Sequence, residues 1–259
     1  MILLDPRAHP VIAHRGNRAY APENTLPALL EAAAVGADAV EFDLRVSADG
    51  MLLLMHDPTL DRTTDGMGLV ECTTWTDIRR LDAGARFSRD GRHYPWKGRG
   101  VRVPSFDELV DALPPNMPMI AELKTPAAAP ALLRAIRRHG LEKRILVAGF
   151  DPATTRPFLG QDIALGASTP AVRRLLVPAL LHRTPQPSWY RALCLPPSHH
   201  GVPVPVKALA RAVRPYGVVT HVWTINDPRD ALRLWRHGVQ GIITDDPARI
   251  LAVRARHTS

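Results

Sequence analysis

VTHVWTINDPRDALRLWRHGVQGIIT, residues 219–244, reads as a strand, a helix and a second strand. Val219 to Thr224 is a short apolar run, and Gly241 to Thr244 is another. Between them Pro228 to Arg236 is amphipathic, with Pro at its first turn and Gly238 just beyond its end. Short buried strands joined by helices are the building unit of a parallel sheet.

The same unit recurs in both directions along the chain. Further strands are expected at Val11 to His14, Ala39 to Asp43, Met119 to Leu123, Ile145 to Gly149, Ile163 to Gly166 and Ala192 to Leu195. Helices are expected at Thr25 to Val35, Ala127 to Arg138, Val206 to Arg214 and Pro247 to Ala255. From Thr169 to Arg183 the pattern is helical, but Pro178 is expected to kink or stop it. Eight strands in 259 residues suit one (β/α)8 TIM barrel, a fold of about 250 residues, spanning 1–259 as a single domain. The rhythm breaks between Pro58 and Pro104, a Gly-, Arg-, Thr- and Asp-rich stretch read as an insertion (58–104) after the second strand, covering one end of the barrel. Helix resumes after Ser105, whose hydroxyl and Glu108 form a capping-box pattern.

The net charge of +8 draws anions to the surface, but the basic residues are scattered, as at Arg137-Arg138 and Arg173-Arg174. No Lys/Arg run interleaved with aromatics occurs, so a nucleic-acid groove is not expected. The two cysteines, Cys72 and Cys194, lack metal-ligand or secreted-scaffold spacing. Met1 to Pro6 has no basic segment leading into an apolar core, and no apolar stretch approaches the roughly 20 residues that cross a bilayer. A cytoplasmic protein without stable membrane insertion is expected; the oligomeric state is left open.

Catalytic residues of such barrels sit at the carboxyl ends of the strands. Here those ends carry His14-Arg15, Glu41 and Asp43, Glu122 and Lys124, and Trp223. Glu41 and Asp43, two apart on a strand, share a face. Asp49-Gly50 then signals a hairpin. With those two residues as its turn, Asp43 is expected to face His56 across the ladder, a placement that a slip of one residue would undo. Three carboxylates at one mouth repel one another unless a cation sits among them, and oxygen donors suit Mg²⁺ or Ca²⁺. The alternative is a structural ion network with Arg15 and Lys124. A cation beside Arg15 and Lys124 would stabilise a phosphoryl transition state, with two imidazoles moving protons to and from the reacting oxygens. Among eleven histidines, His14 and His56 stand out by their strand-end context.

His14-Arg15-Gly16, Pro22-Glu23-Asn24-Thr25, Glu41-Phe42-Asp43 and His56-Asp57 resemble the signature of the glycerophosphodiester phosphodiesterase family. Glu122-Leu123-Lys124, Val222 to Asn226 and Gly241 to Pro247 extend the resemblance in order over nearly the whole chain. The resemblance implies a hydrolase that uses one divalent cation, Mg²⁺ or Ca²⁺, to cleave a small-molecule glycerophosphodiester into glycerol 3-phosphate and an alcohol. It implies His14 and His56 as the catalytic pair, Glu41, Asp43 and Glu122 as metal ligands, and Arg15, Lys124 and Trp223 as substrate-binding residues. Glu23 and Asn24 are read as ordering the first βα loop. Ser198-His199-His200, in the least typical stretch, would alter the rim.

Two other functions compete with this one. A lysophospholipase D-like or sphingomyelinase D-like enzyme would need an apolar slot, whereas the 58–104 stretch mixes Trp75, Phe87, Tyr94 and Trp96 with many charges. A non-catalytic phosphate-binding barrel would need cations but not two histidines.

Overall fold

The computed structural model describes residues 1–183, 186 and 189–257. In chain order its strands are β1 Val11–His14, β2 Ala39–Val46, β3 Leu52–Leu54, β4 Met119–Leu123, β5 Ile145–Ala148 and β6 Ala164–Leu165. Then follow β7 Ala192–Leu195, the small hairpin β8 Ser198–His199 and β9 Val202–Pro203, β10 Val219–Val222 and β11 Gly241–Thr244. All eight expected barrel strands are present and parallel, in the order β6-β5-β4-β2-β1-β11-β10-β7. A parallel bridge between Gly166 and Ala192 brings β6 against β7 and closes the ring, with Ala167 N–H donating to the Ala192 carbonyl at 2.8 Å.

The surrounding helices are α1 Leu26–Ala34, α2 Trp75–Ile78, α3 Phe106–Ala112, α4 Ala128–His139 and α5 Pro152–Thr155. They continue as α6 Thr169–Leu180, α7 Val206–Val213, α8 Pro228–Arg236 and α9 Pro247–His257. The Ser105–Glu108 capping box forms in full at the start of α3. The helix α6 stops close to Pro178, as expected. Pro178 lies in the last turn, where its ring removes one of the final i→i−4 donors, and the helix ends two residues later.

Strand residues alternate between two apolar layers. Phe42, Leu44, Ala121 and Leu123 face the helices, against Leu29, Phe106 and Leu132. Ile12, Ala39, Ile120, Leu146, Val219 and Ile243 fill the barrel interior. Below them a 3-10 turn, Ile2–Leu4, plugs the floor with the fully buried Leu3. The Leu3 carbonyl accepts from Nε2 of the buried His221 at 3.0 Å. Gly241 makes room for that ring, because a Cβ there would stand 2.0 Å from His221 Nδ1.

The hairpin register differs from the expected one. Leu44 pairs with Leu54 and Val46 with Leu52, and Met55 N–H donates to the Asp43 carbonyl at 3.0 Å. Asp43 therefore faces Met55, not His56. The cause is the turn: Ser47 N–H bonds the Met51 carbonyl, so Ala48, Asp49 and Gly50 form a three-residue loop with Gly50 at φ +81°. Alternation along β3 makes it a wall between two cores. Leu52 and Leu54 join the helix layer, whereas Leu53 and Met55 pack with Leu60, Val70, Ile78, Ala83, Val101 and Val103. The stretch between β3 and α3 thus has an apolar centre of its own, built on the reverse side of β3.

Candidate active site

The parallel register sets the acidic residues at one level. His14 pairs with Glu41 and Asp43 pairs with Glu122. Glu41, Asp43 and Glu122 each bring one carboxylate oxygen within 4.8 Å of the others. Glu41 and Asp43 are buried.

Two cations lie among these three anions. Asp43 Oδ2 stands 2.9 Å from Arg15 Nε and Oδ1 stands 2.9 Å from Lys124 Nζ. Neither contact is aligned as a hydrogen bond, so Oδ1 is buried without one. Lys124 Nζ also contacts Glu122 Oε1. Glu41 receives the backbone N–H of Arg15 at 3.1 Å, made possible by a left-handed Arg15 at φ +55°. Asn24 clamps Asp43 by both ends of its amide, donating to Oδ2 at 2.9 Å and accepting the Asp43 N–H at 3.1 Å. Arg15 and Lys124 thus pair with the acids, as in a structural ion network, yet one negative charge is left over.

That surplus shows in the titration of the group. Burial, reinforced by Asp43 and Glu122, holds the Glu41 carboxyl well above its ordinary range. Burial also raises Glu122, with Lys124 opposing. Asp43 is pushed up by burial too, but Lys124 and Arg15 together hold it below the usual value. A cluster that cannot comfortably ionise without added positive charge fits a hard divalent cation, and its donors are all oxygens.

Each histidine is backed by a carboxylate to which the sequence alone gives no role. His14 Nδ1 lies 2.7 Å from Asp245 Oδ1, and Asn226 Nδ2 donates to the other oxygen at 2.9 Å. His56 Nδ1 lies 2.6 Å from Asp57 Oδ1. A carboxylate at Nδ1 keeps the proton there and leaves Nε2 as the acceptor of a neutral ring. Burial lowers both imidazoles, with Asp245 opposing at His14 and Asp43 at His56. His56 reaches this level despite the shifted register because the chain leaves the ladder after Met55, where Arg45 Nε donates to the His56 carbonyl at 3.0 Å.

Glu23 ties the two halves together. Its carboxylate accepts from Arg15 at 2.8 Å and from Arg62 at 2.7 and 2.9 Å, and Arg62 Nε donates to Asp57 at 2.6 Å. Although burial opposes it, the Arg62 hydrogen bond with Arg15 and Arg18 holds Glu23 at about 2.

A cleft of about 630 Å³ is lined by His14, Arg15, Glu41, His56, Glu122 and Lys124 on one side. Phe150, Cys194 and Trp223 line the other. Trp223 stands just past the end of β10, its ring centroid 5.7 Å from that of Phe150. Burial, with Glu122 and Glu41 nearby, pushes the Cys194 thiol up to about 12, so it is inert at neutral pH. All eight residues singled out from the sequence gather here, seven on the cleft wall and Asp43 beside it. Asp57, Asp245 and Phe150 join the site without having stood out in the sequence. For the two acids, adjacency to a histidine and to the end of β11 were signals that could have found them. Among the described residues, no helix is long and apolar enough to cross a membrane.

A sequence profile of the Glycerophosphoryl diester phosphodiesterase family matches residues 14–249. A glycerophosphodiester phosphodiesterase of Caldanaerobacter subterraneus is 30% identical over 93% of this chain and 96% of its own length. One from Bacillus subtilis is 30% identical over 95% and 86%. An Oleispira antarctica phosphodiesterase, solved in complex with the product sn-glycerol-3-phosphate, superposes with a TM-score of 0.78. It is 27% identical, over 96% of this chain and 97% of that one.

Proposed function

Because the chain belongs to the glycerophosphoryl diester phosphodiesterase family and is a phosphodiester hydrolase, we propose that it uses one divalent cation and two histidines to release glycerol 3-phosphate and an alcohol. In this reading the chain is one barrel domain, residues 1–259, with 58–104 inserted after the second barrel strand.

The observation that carries the proposal is the meeting of three carboxylates and two carboxylate-backed imidazoles in one cleft. Glu41, Asp43 and Glu122 would hold Mg²⁺ or Ca²⁺, which supplies positive charge to a bound phosphoryl group. Arg15 and Lys124 offset charge on the non-bridging phosphate oxygens as the transition state forms. One of His14 and His56, neutral at its free Nε2, takes the proton of the attacking oxygen. The other, protonated, returns one to the departing alkoxide. Asp57 and Asp245 hold the rings in place and stabilise them when charged. Trp223 and Phe150 close the apolar side and exclude water there.

A screen of several glycerophosphodiesters, with Mg²⁺ or Ca²⁺ and with EDTA, tests this reading by product analysis. Metal-dependent release of glycerol 3-phosphate is expected. Undiminished turnover after exhaustive chelation would remove the cation from the mechanism.

A further inference from the structure

Beside the cleft, on the far side of Asp57, two hollows of about 640 and 780 Å³ share the side chains of Arg62 and Arg86. They form one groove between the β1–α1 loop and the stretch that follows β3. Its charged lining is Arg18, Arg62, Arg86 and Lys97 against a single acid, Glu23. That acid is already engaged by Arg15, Arg18 and Arg62. Arg86 and Lys97 are exposed and take part in no ion pair among the described residues; the Arg86 Nε donates only to the Thr64 carbonyl at 3.0 Å. Arg18 and Arg62 are offset by Glu23, Asp245 and Asp57, so the uncompensated charge of the groove is that of Arg86 and Lys97, about two positive charges in a concave surface where low-dielectric walls concentrate the field. It adjoins the catalytic cleft through Arg62, which bonds Asp57 and, through it, touches His56.

We infer that this groove is a subsite for a second phosphoryl group, carried by the alcohol that leaves the scissile phosphodiester. The inference rests on the phosphodiesterase reading and deepens it by naming the substrate class. The Arg86 guanidinium, bonded only through Nε, offers a planar fork suited to phosphate, and Lys97 adds a mobile point charge. A flat anionic membrane or a nucleic acid is the weaker match, because the charge lies in a hollow and Arg86 and Lys97 stand within it. The second phosphoryl group has two possible sources: a terminal phosphomonoester on the alcohol, or the next link of a glycerol phosphate polymer.

The test compares three substrates with the wild type and the Arg86→Gln/Lys97→Gln variant. They are glycerophosphoglycerol, the same compound phosphorylated at the far end of its leaving glycerol, and a short poly(glycerol phosphate). The wild type should favour the doubly charged substrates by about tenfold in kcat/KM, carried by KM and weakened by salt. The variant should lose that preference while its turnover of glycerophosphoglycerol stays unchanged. The better of the two charged substrates identifies the source. Hydrolysis of glycerophosphoglycerol without the preference, or with a preference that survives the double substitution, overturns the subsite and leaves the phosphodiesterase reading intact. So does a variant whose only loss is retention on phosphatidylglycerol vesicles or DNA. Failure to hydrolyse any of the three overturns the phosphodiesterase reading itself. Calorimetric titration with the phosphorylated leaving alcohol then decides the groove, because binding that is lost in the variant supports it and equal binding refutes it.

Discussion

Nδ1 of His56 stands 2.6 Å from Oδ1 of Asp57, and the other oxygen of that carboxylate accepts from Nε of Arg62 at 2.6 Å. Asp57 is thus held from behind while it holds the imidazole in front. Asp57→Asn would present an amide able to donate where Nδ1–H needs an acceptor. The substitution should lower kcat roughly tenfold to a hundredfold with KM little changed. Steady-state kinetics beside a melting curve check this, and an unaltered kcat would deny Asp57 its positioning role.

His14→Ala and His56→Ala should each lower kcat by about 10²–10⁴-fold, the typical contribution of a general acid or base. Neither should unfold the protein, since both side chains border a cleft and not an apolar core. Far-UV circular dichroism would verify the fold, and wild-type turnover in either variant would end the acid–base assignment.

Glu41→Gln should act in opposite directions with and without metal. In the bare protein Glu41 is crowded by Asp43 and Glu122 at a buried position, so a neutral amide should leave the melting temperature unchanged or raise it. With Mg²⁺ or Ca²⁺ at a hundredfold its Kd, the wild type should gain about 2.7 kcal/mol, and the variant should gain much less. Equal metal-induced shifts in the two proteins would exclude Glu41 as a ligand.

His221 gives the fold its own acid sensitivity. Burial lowers the imidazole from 6.5 to about 4, with the Leu3 carbonyl opposing. An unfolded chain takes up this proton at the ordinary value, so between those limits the unfolded state binds more protons. The stabilisation is whole above pH 6.5 and is lost as the pH falls toward 4, by roughly 3 kcal/mol. Denaturant titrations across that window should show a shallower loss in His221→Gln. An identical slope would assign the acid sensitivity elsewhere.

Gly241→Ala should destabilise by about 1–3 kcal/mol, the usual cost of overpacking. The added methyl would stand 2.0 Å from His221 Nδ1 and 2.9 Å from Ile12 Cδ1, inside the barrel. A melting temperature equal to that of the wild type would show that the floor can rearrange.

The eight barrel strands were legible because each is buried on both faces and so reads as an apolar run bounded by polar ends. Glu41, Asp43 and Glu122 were legible for the same reason, as acids where the pattern calls for apolar residues. The hairpin pattern reads one residue out of register. Asp49-Gly50 marks a turn, but the choice between a two-residue turn and a three-residue loop depends on whether Ser47 pairs with Met51, which composition does not encode. The ties from Glu23 to Arg62 and from Asp245 to His14 join positions 39 and 231 apart in the chain, beyond any local pattern.

The double-sided use of β3 binds the fate of its neighbour to the barrel. Leu53 and Met55 are covered only while the following stretch folds over them. A lineage that shortened that stretch would lay two large apolar side chains open to water beside an active cleft, an invitation to self-association. Shortening can therefore succeed only when both positions turn polar in step, which makes this region an obligate companion of the hairpin and not an interchangeable part.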